Sequence, residues 1–91
     1  MHAVVVKVTI NDFEAAQKVL RDEVVPRVSG APGLVAAYWT RSEDGNNGLS
    51  MVVFESEEAA RAATEMIRSQ AAQREDVTLN DVEVREVVGN A

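Results

Sequence analysis

The sequence predicts an α+β fold whose elements run strand, helix, strand, strand, helix, strand. Three observations predict it. Residues 3–10 and 34–41 are strand-length runs rich in β-branched or aromatic side chains. A Gly- and Asn-rich turn at 42–48 joins the second of these runs to a third at 49–55. Two further segments carry apolar residues at helical spacing, one on either side of that hairpin.

In the first strand, AVVVKVTI, alternation puts Val4, Val6, Val8 and Ile10 on a wholly apolar face. Ala3, Val5, Lys7 and Thr9 share the other, mixed face. Such a strand suits a sheet covered by helices on one side only. Asn11 or Asp12 can cap the following helix by accepting from its free backbone N–H groups. Phe13, Ala16, Val19 or Leu20, Val24 and Val28 follow helical spacing. Pro26 is expected to end this helix near Val25 or to kink a last turn that reaches Ser29. Gly30, Pro32 and Gly33 close the segment.

Residues 34–41, LVAAYWTR, and 49–55, LSMVVFE, are expected to pair as an antiparallel hairpin. Ser56 is placed to cap the second helix, with Glu57 and Glu58 where the helix dipole favours negative charge. Ala59, Ala60, Ala63, Met66 and Ile67 form its apolar stripe, and the alanines allow a close approach to the sheet. Met51 and Met66 read as core filler. Residues 79–88 supply the last strand. Each helix then links two strands by a right-handed crossover, which yields a four-stranded antiparallel sheet with two helices on one face. This is the split βαβ or ferredoxin-like arrangement.

Ninety-one residues make a single domain spanning 1–91 the natural expectation. A chain of this size buries only roughly 60–65% of its unfolded surface, so its own core is thin. The uncovered sheet face carries Val5, Lys7, Thr9 and one alternating set from each hairpin strand. A second copy presenting the same face is the simplest cover, so a homodimer through the open face is expected. The chain has no cysteine, which excludes disulfides and thiolate metal sites. Its formal charge of −6, with scattered bases, opposes nucleic-acid binding. No apolar run approaches a membrane span, and the N-terminus lacks the features of a signal peptide, so a cytoplasmic location is expected.

Residues Pro32 to Ala63, PGLVAAYWTRSEDGNNGLSMVVFESEEAARAA, resemble the small antibiotic-biosynthesis-monooxygenase-like domains of the dimeric α+β barrel superfamily. The recurring elements are a Pro-Gly before the second strand, a polar turn, an apolar third strand and an aromatic-Glu-Ser-Glu-Glu entry into an alanine-rich helix. The resemblance implies a dimeric α+β barrel. The family includes cofactor-independent monooxygenases, haem-degrading enzymes and small actinobacterial-type proteins without an assigned role. Haem degradation implies a tryptophan where this chain has Phe54, a histidine on or after the second helix where residues 57–76 have none, and an amide near Lys7. All three positions depart, and neither a cofactor nor a metal is expected. The monooxygenase branch uses tryptophan, asparagine, tyrosine and arginine around an aromatic substrate, and Trp39, Tyr38 and Arg41 can stand in such parts.

Trp39 and Tyr38 are the only tryptophan and tyrosine, and as strand neighbours they face opposite ways. The expected placement puts Trp39 and Arg41 on the uncovered face and Tyr38 beneath the helices. There an aromatic and a guanidinium would either suit a planar anionic or phenolic ligand or anchor the dimer contact. Lys7 is expected to pair with Glu55, Glu83 or Glu86, or else to act as a base of lowered pKa. His2, the only histidine, reads as a strand-end residue. Ser50 and Ser56 have no neighbouring base, so no hydrolase triad is indicated. Two functions follow. One is a non-catalytic module that binds a small ligand, such as an aromatic compound, or serves as an accessory protein. The alternative is a cofactor-independent monooxygenase of a small aromatic compound, with Trp39 and Arg41 positioning it and Tyr38 or Lys7 handling a proton. An enclosed cavity walled by these residues would distinguish the second from a solidly packed dimer contact.

Overall fold

The computed structural model describes residues 1–91. Its elements are β1 (His2–Ile10), a first helix in three segments, β2 (Leu34–Arg41), β3 (Asn47–Phe54), a second helix (Glu57–Ala71) and β4 (Val77–Glu86). The first helix consists of α1 (Phe13–Val19), a π-helical turn (Leu20–Val24) and α2 (Val25–Ser29), and the second helix is α3. The strands form one antiparallel sheet in the order β2-β3-β1-β4, as the ferredoxin-like expectation requires. The last strand starts and ends two residues earlier than its expected 79–88 span, and Val88 is left almost fully exposed.

The local signals act as their chemistry dictates. Asp12, not Asn11, caps α1, accepting from the Ala15 N–H at 3.1 Å. Asn11 instead ties the helix entry to the β4 entry, donating to the Glu75 carbonyl at 3.1 Å and to Thr78 Oγ1 at 3.0 Å. Ser56 caps α3, accepting from the Ala59 N–H at 3.1 Å. Pro26 does not end the first helix. The π-turn just before it carries the Val25 N–H to the Leu20 carbonyl. That widened turn relieves the collision an α-helical proline ring makes one turn back, and the helix runs on to Ser29.

The core sits between β1, β3, β4 and α3. Val4, Val6, Val52, Phe54, Ala60 and Val82 form it, and only ten of the 91 residues are buried, so the core is as thin as the chain length implies. The alanines of α3 bring it close to the sheet, with Ala60 fully buried. The first helix buries none of its residues and stands off from the strands. Met51 and Met66, expected in the core, are 46% and 54% exposed.

The expected facing of β2 is reversed. Leu34 pairs with Phe54, but the next paired residue is Ala36, opposite Val53, so Val35 is an extra residue in β2. A bulge of this kind changes the side-chain parity of everything beyond it. Leu34, Ala37 and Trp39 therefore share the helix-covered face, and Tyr38 lies on the open face, 69% exposed. A second irregularity, between Lys7 and Val8, lets both Leu79 and Val82 of β4 face the helices. The open face is crossed by the row Tyr38, Met51, Val5 and Glu83.

Capping predicts a measurable stability term. Ser56→Ala leaves the first N–H groups of α3 without their side-chain acceptor and is expected to cost about 1 kcal/mol. Urea unfolding followed by far-ultraviolet circular dichroism checks this, and an unchanged midpoint would show that the cap carries no stability.

Candidate functional site

Because the first helix stands off while α3 packs down, the space between sheet and helices is not filled. It forms a cavity of about 400 Å³ within the chain, and nineteen of its twenty-seven lining residues are hydrophobic. That size and lining are typical of a small-molecule site. The sheet supplies the floor, including Val6, Val8, Trp39 and Ser50. The roof comes from the first helix through Phe13, Ala16, Leu20, Val24 and Val28. Leu20 and Val24 both belong to the π-turn, so that turn lies over the cavity.

Small residues in β3 help to keep the space open. Ser50 stands between Trp39 of β2 and Val6 of β1 and is the only buried polar residue of the chain. Gly48 occupies the next position on the same face, between Arg41 and Val8, where an added Cβ would lie 2.9 Å from the Val8 Cγ2.

Three arginines give the cavity its polar character. Arg41, at the end of β2, lays its guanidinium over the Phe13 ring, with Cζ 3.5 Å from the centroid. Its Nε donates to the Gly45 carbonyl at 3.3 Å. Gly45 has φ +80°, and a Cβ there would fall 2.6 Å from the Arg41 Nη2, so this glycine is needed both for the turn and for the arginine. Asp44 stiffens the same turn by accepting from the Ser42 hydroxyl at 2.7 Å and the Asn46 N–H at 2.9 Å. Those hydrogen bonds, the one from Asn46 first, hold its carboxyl below the usual range. Arg27 of α2 reaches across to α3 and donates to Gln70 Oε1 at 2.7 Å. Arg74 is held by Asp76 through two hydrogen bonds, one of them Nε to Oδ1 at 3.0 Å.

The candidate residues divide between the two faces. Trp39 and Arg41 come together as foreseen, but beneath the helices instead of on the uncovered face. Tyr38 and Lys7 lie on the opposite side of the sheet and do not reach the cavity. Lys7 sits beside Leu49 and Asp81, not in the expected pair with Glu55, Glu83 or Glu86, and Glu83 is taken by Arg85 at 2.6 Å. His2 lies at the far end of β1, its Nε2 3.5 Å from Glu57 Oε1. Sequence reasoning missed Ser50 as a cavity residue, as well as Arg27, Gln70 and Arg74. The detectable signal was Gly48 and Ser50 alternating on the floor side of β3, where branched residues would otherwise fill the sheet.

No protein-family model matches the chain, and no curated protein matches it in sequence. Solved structures do match. HapK from Hahella chejuensis aligns with a TM-score of 0.75 at 15% identity, over 100% of this chain and 96% of that one. SnoaB, a cofactor-independent oxygenase from Streptomyces nogalater, gives 0.75 at 17% identity over 98% and 94%. The monooxygenase of ActVA-Orf6 from Streptomyces coelicolor, solved with nanaomycin D, gives 0.69 at 17% identity over 99% and 89%. The chain shares their ferredoxin-like α+β fold. A dimeric ferredoxin-like protein from an uncultured marine organism shares it as well, with a TM-score of 0.68 at 13% identity.

Asp76 makes the Arg74 end of this cavity sensitive to acid. Its hydrogen bonds with Arg74, the largest cause, hold the carboxyl below its ordinary value of 3.8. A depressed folded-state pKa contributes stability above that ordinary value and loses it as pH falls through the folded-state value. The Asp76 side chain is only 10% exposed, so Asp76→Asn is expected to cost about 1–2 kcal/mol at neutral pH. The gap between variant and parent should shrink as pH falls below about 4. Urea midpoints at pH 7 and pH 3 test this, and a gap of equal size at both would remove the pair from the account.

Proposed function

We propose that residues 1–91 act as a single domain that binds a planar aromatic small molecule in the cavity of each protomer. The observation that carries this reading is the cavity itself: about 400 Å³, mainly apolar, and walled by Trp39 and Arg41. A space of this size suits a ligand of roughly two or three fused rings. The polar rim of Arg27, Arg41 and Gln70 would orient such a ligand. Binding without chemistry is supported by the lining, which contains no His, Lys, Tyr, Asp or Glu to act as acid or base.

A second reading is cofactor-independent oxygenation of the bound compound. It is supported by an apolar space that can hold an electron-rich aromatic away from water and admit dioxygen, in a fold shared with SnoaB and ActVA-Orf6. In that case Trp39 and Arg41 position the substrate. Tyr38 and Lys7, on the other face, are not available to move its proton.

The single tryptophan makes binding directly observable. Hydroxynaphthoquinones and anthrones are expected to quench Trp39 fluorescence with saturation. Ala16→Phe, which fills the cavity from a helix with no buried residue, is expected to weaken binding at least ~10-fold with little change in unfolding midpoint. An oxygen electrode separates the two readings. Dioxygen uptake with bound anthrone, above the uncatalysed rate, supports oxygenation, whereas saturable quenching without uptake supports the module. If no planar aromatic quenches Trp39, both readings fall.

The domain is further proposed to pair with a second copy through its open sheet face and to work in the cytoplasm. Val35, Tyr38 and Met51 leave that face apolar and exposed at its β2–β3 half, which supports self-association. No helix is long and apolar enough to cross a membrane. Met51→Glu is expected to convert a dimer into a folded monomer, as read by sedimentation and circular dichroism. A monomeric parent protein at micromolar concentration would refute the pairing.

A further inference from the structure

We propose that the cavity selects an organic anion that arrives already ionised, and that Arg41 reads its charge; the inference rests on the aromatic-ligand reading above.

The charge distribution carries it. The chain has 15 acidic against 9 basic side chains, yet its cavity is lined by three arginines and by no carboxylate. Arg74 is neutralised by Asp76. Arg27 is hydrogen-bonded to Gln70, an uncharged amide, and keeps its full charge. Arg41 is held by an aromatic face and a backbone carbonyl, neither of which cancels its charge. A guanidinium held by its flat face and its Nε still presents Nη donors to a planar oxyanion. Mostly apolar walls strengthen that attraction relative to water.

The ligand must also supply its own ionisation. The only ionisable side chains in the lining are the three arginines. His2 is at the far end of β1 beside Glu57, and Lys7 and Tyr38 are on the other face of the sheet. The carboxylates on elements around Arg41 are Glu43 and Asp44 in the hairpin turn, Asp12 and Glu14 at the start of α1, and Asp76 beside Arg74. Asp12 is engaged in capping, Asp44 in the turn and Asp76 with Arg74. The lining itself holds no group that could take up the ligand's proton, so the pH dependence of binding follows the ligand's own ionisation. The class that fits is a fused-ring compound with an acidic enol, a vinylogous acid or a carboxylate.

Three probes of one shape test this by Trp39 quenching: acidic 2-hydroxy-1,4-naphthoquinone, its neutral 2-methoxy ether, and the weakly acidic 1-naphthol. At pH 7 the hydroxyquinone is expected to bind at least ~10-fold more tightly than the ether. 1-Naphthol should tighten as pH rises toward its own ionisation. Arg41→Gln should abolish the preference for the hydroxyquinone over the ether, and Arg41→Lys should retain part of it. Thermal unfolding of both variants checks that they fold. Equal binding of hydroxyquinone and ether overturns the anion assignment while the cavity reading stands. A preference that survives in folded Arg41→Gln removes Arg41 from the role. Absence of quenching by all three overturns the cavity reading and this inference together.

Discussion

Strand β2 carries one more residue than β3 between its first two pairings, and that extra residue, Val35, decides what each face of the sheet can do. Side chains alternate with period two, so a single insertion turns every later residue over. Trp39 and Arg41 pass beneath the helices and Tyr38 passes to the open face. Without the bulge, Tyr38 would point into the space under the first helix and Trp39 would lie among Met51 and Val5. The cavity wall and the open face would exchange residues.

Helix packing then determines whether the helix-covered face is solid or hollow. α3 approaches closely because alanines face the sheet, and Ala60 reaches complete burial. The first helix has larger side chains at its inner positions and remains at a distance, its π-turn opening the backbone ahead of Pro26. Arg27 and Gln70 join the two helices by a side-chain bond over the resulting space. The low burial of the chain and its cavity therefore share one cause. Apolar residues of the first helix line a void instead of completing a core.

Charge is partitioned by the same geometry. Acidic side chains lie on the outer surfaces and at helix starts, where solvent or the helix dipole accommodates them. Arginines enter the cavity wall because their long side chains can run along apolar surface while the guanidinium finds a ring, an amide or a carboxylate. An acidic protein thereby lines its cavity with three arginines and no carboxylate, which its overall charge does not reveal.

Element order, the hairpin, the Ser56 cap and the four-stranded topology were legible in the sequence, because strand and helix periods, turn residues and capping side chains are local signals. Trp39 and Arg41 were legible as partners, since they stand two apart in one strand. Their face was not, because parity is set by the register with β3, and the residues 34–36 contain no glycine or proline to announce the bulge. Nor was Lys7 legible as lacking its expected glutamate partners, since cross-strand neighbours depend on pairing. The sequence by itself determined which elements form and in what order. Tertiary structure alone decided that Trp39 and Arg41 line a cavity beneath the helices, because only packing distances show that the first helix stands away from the sheet.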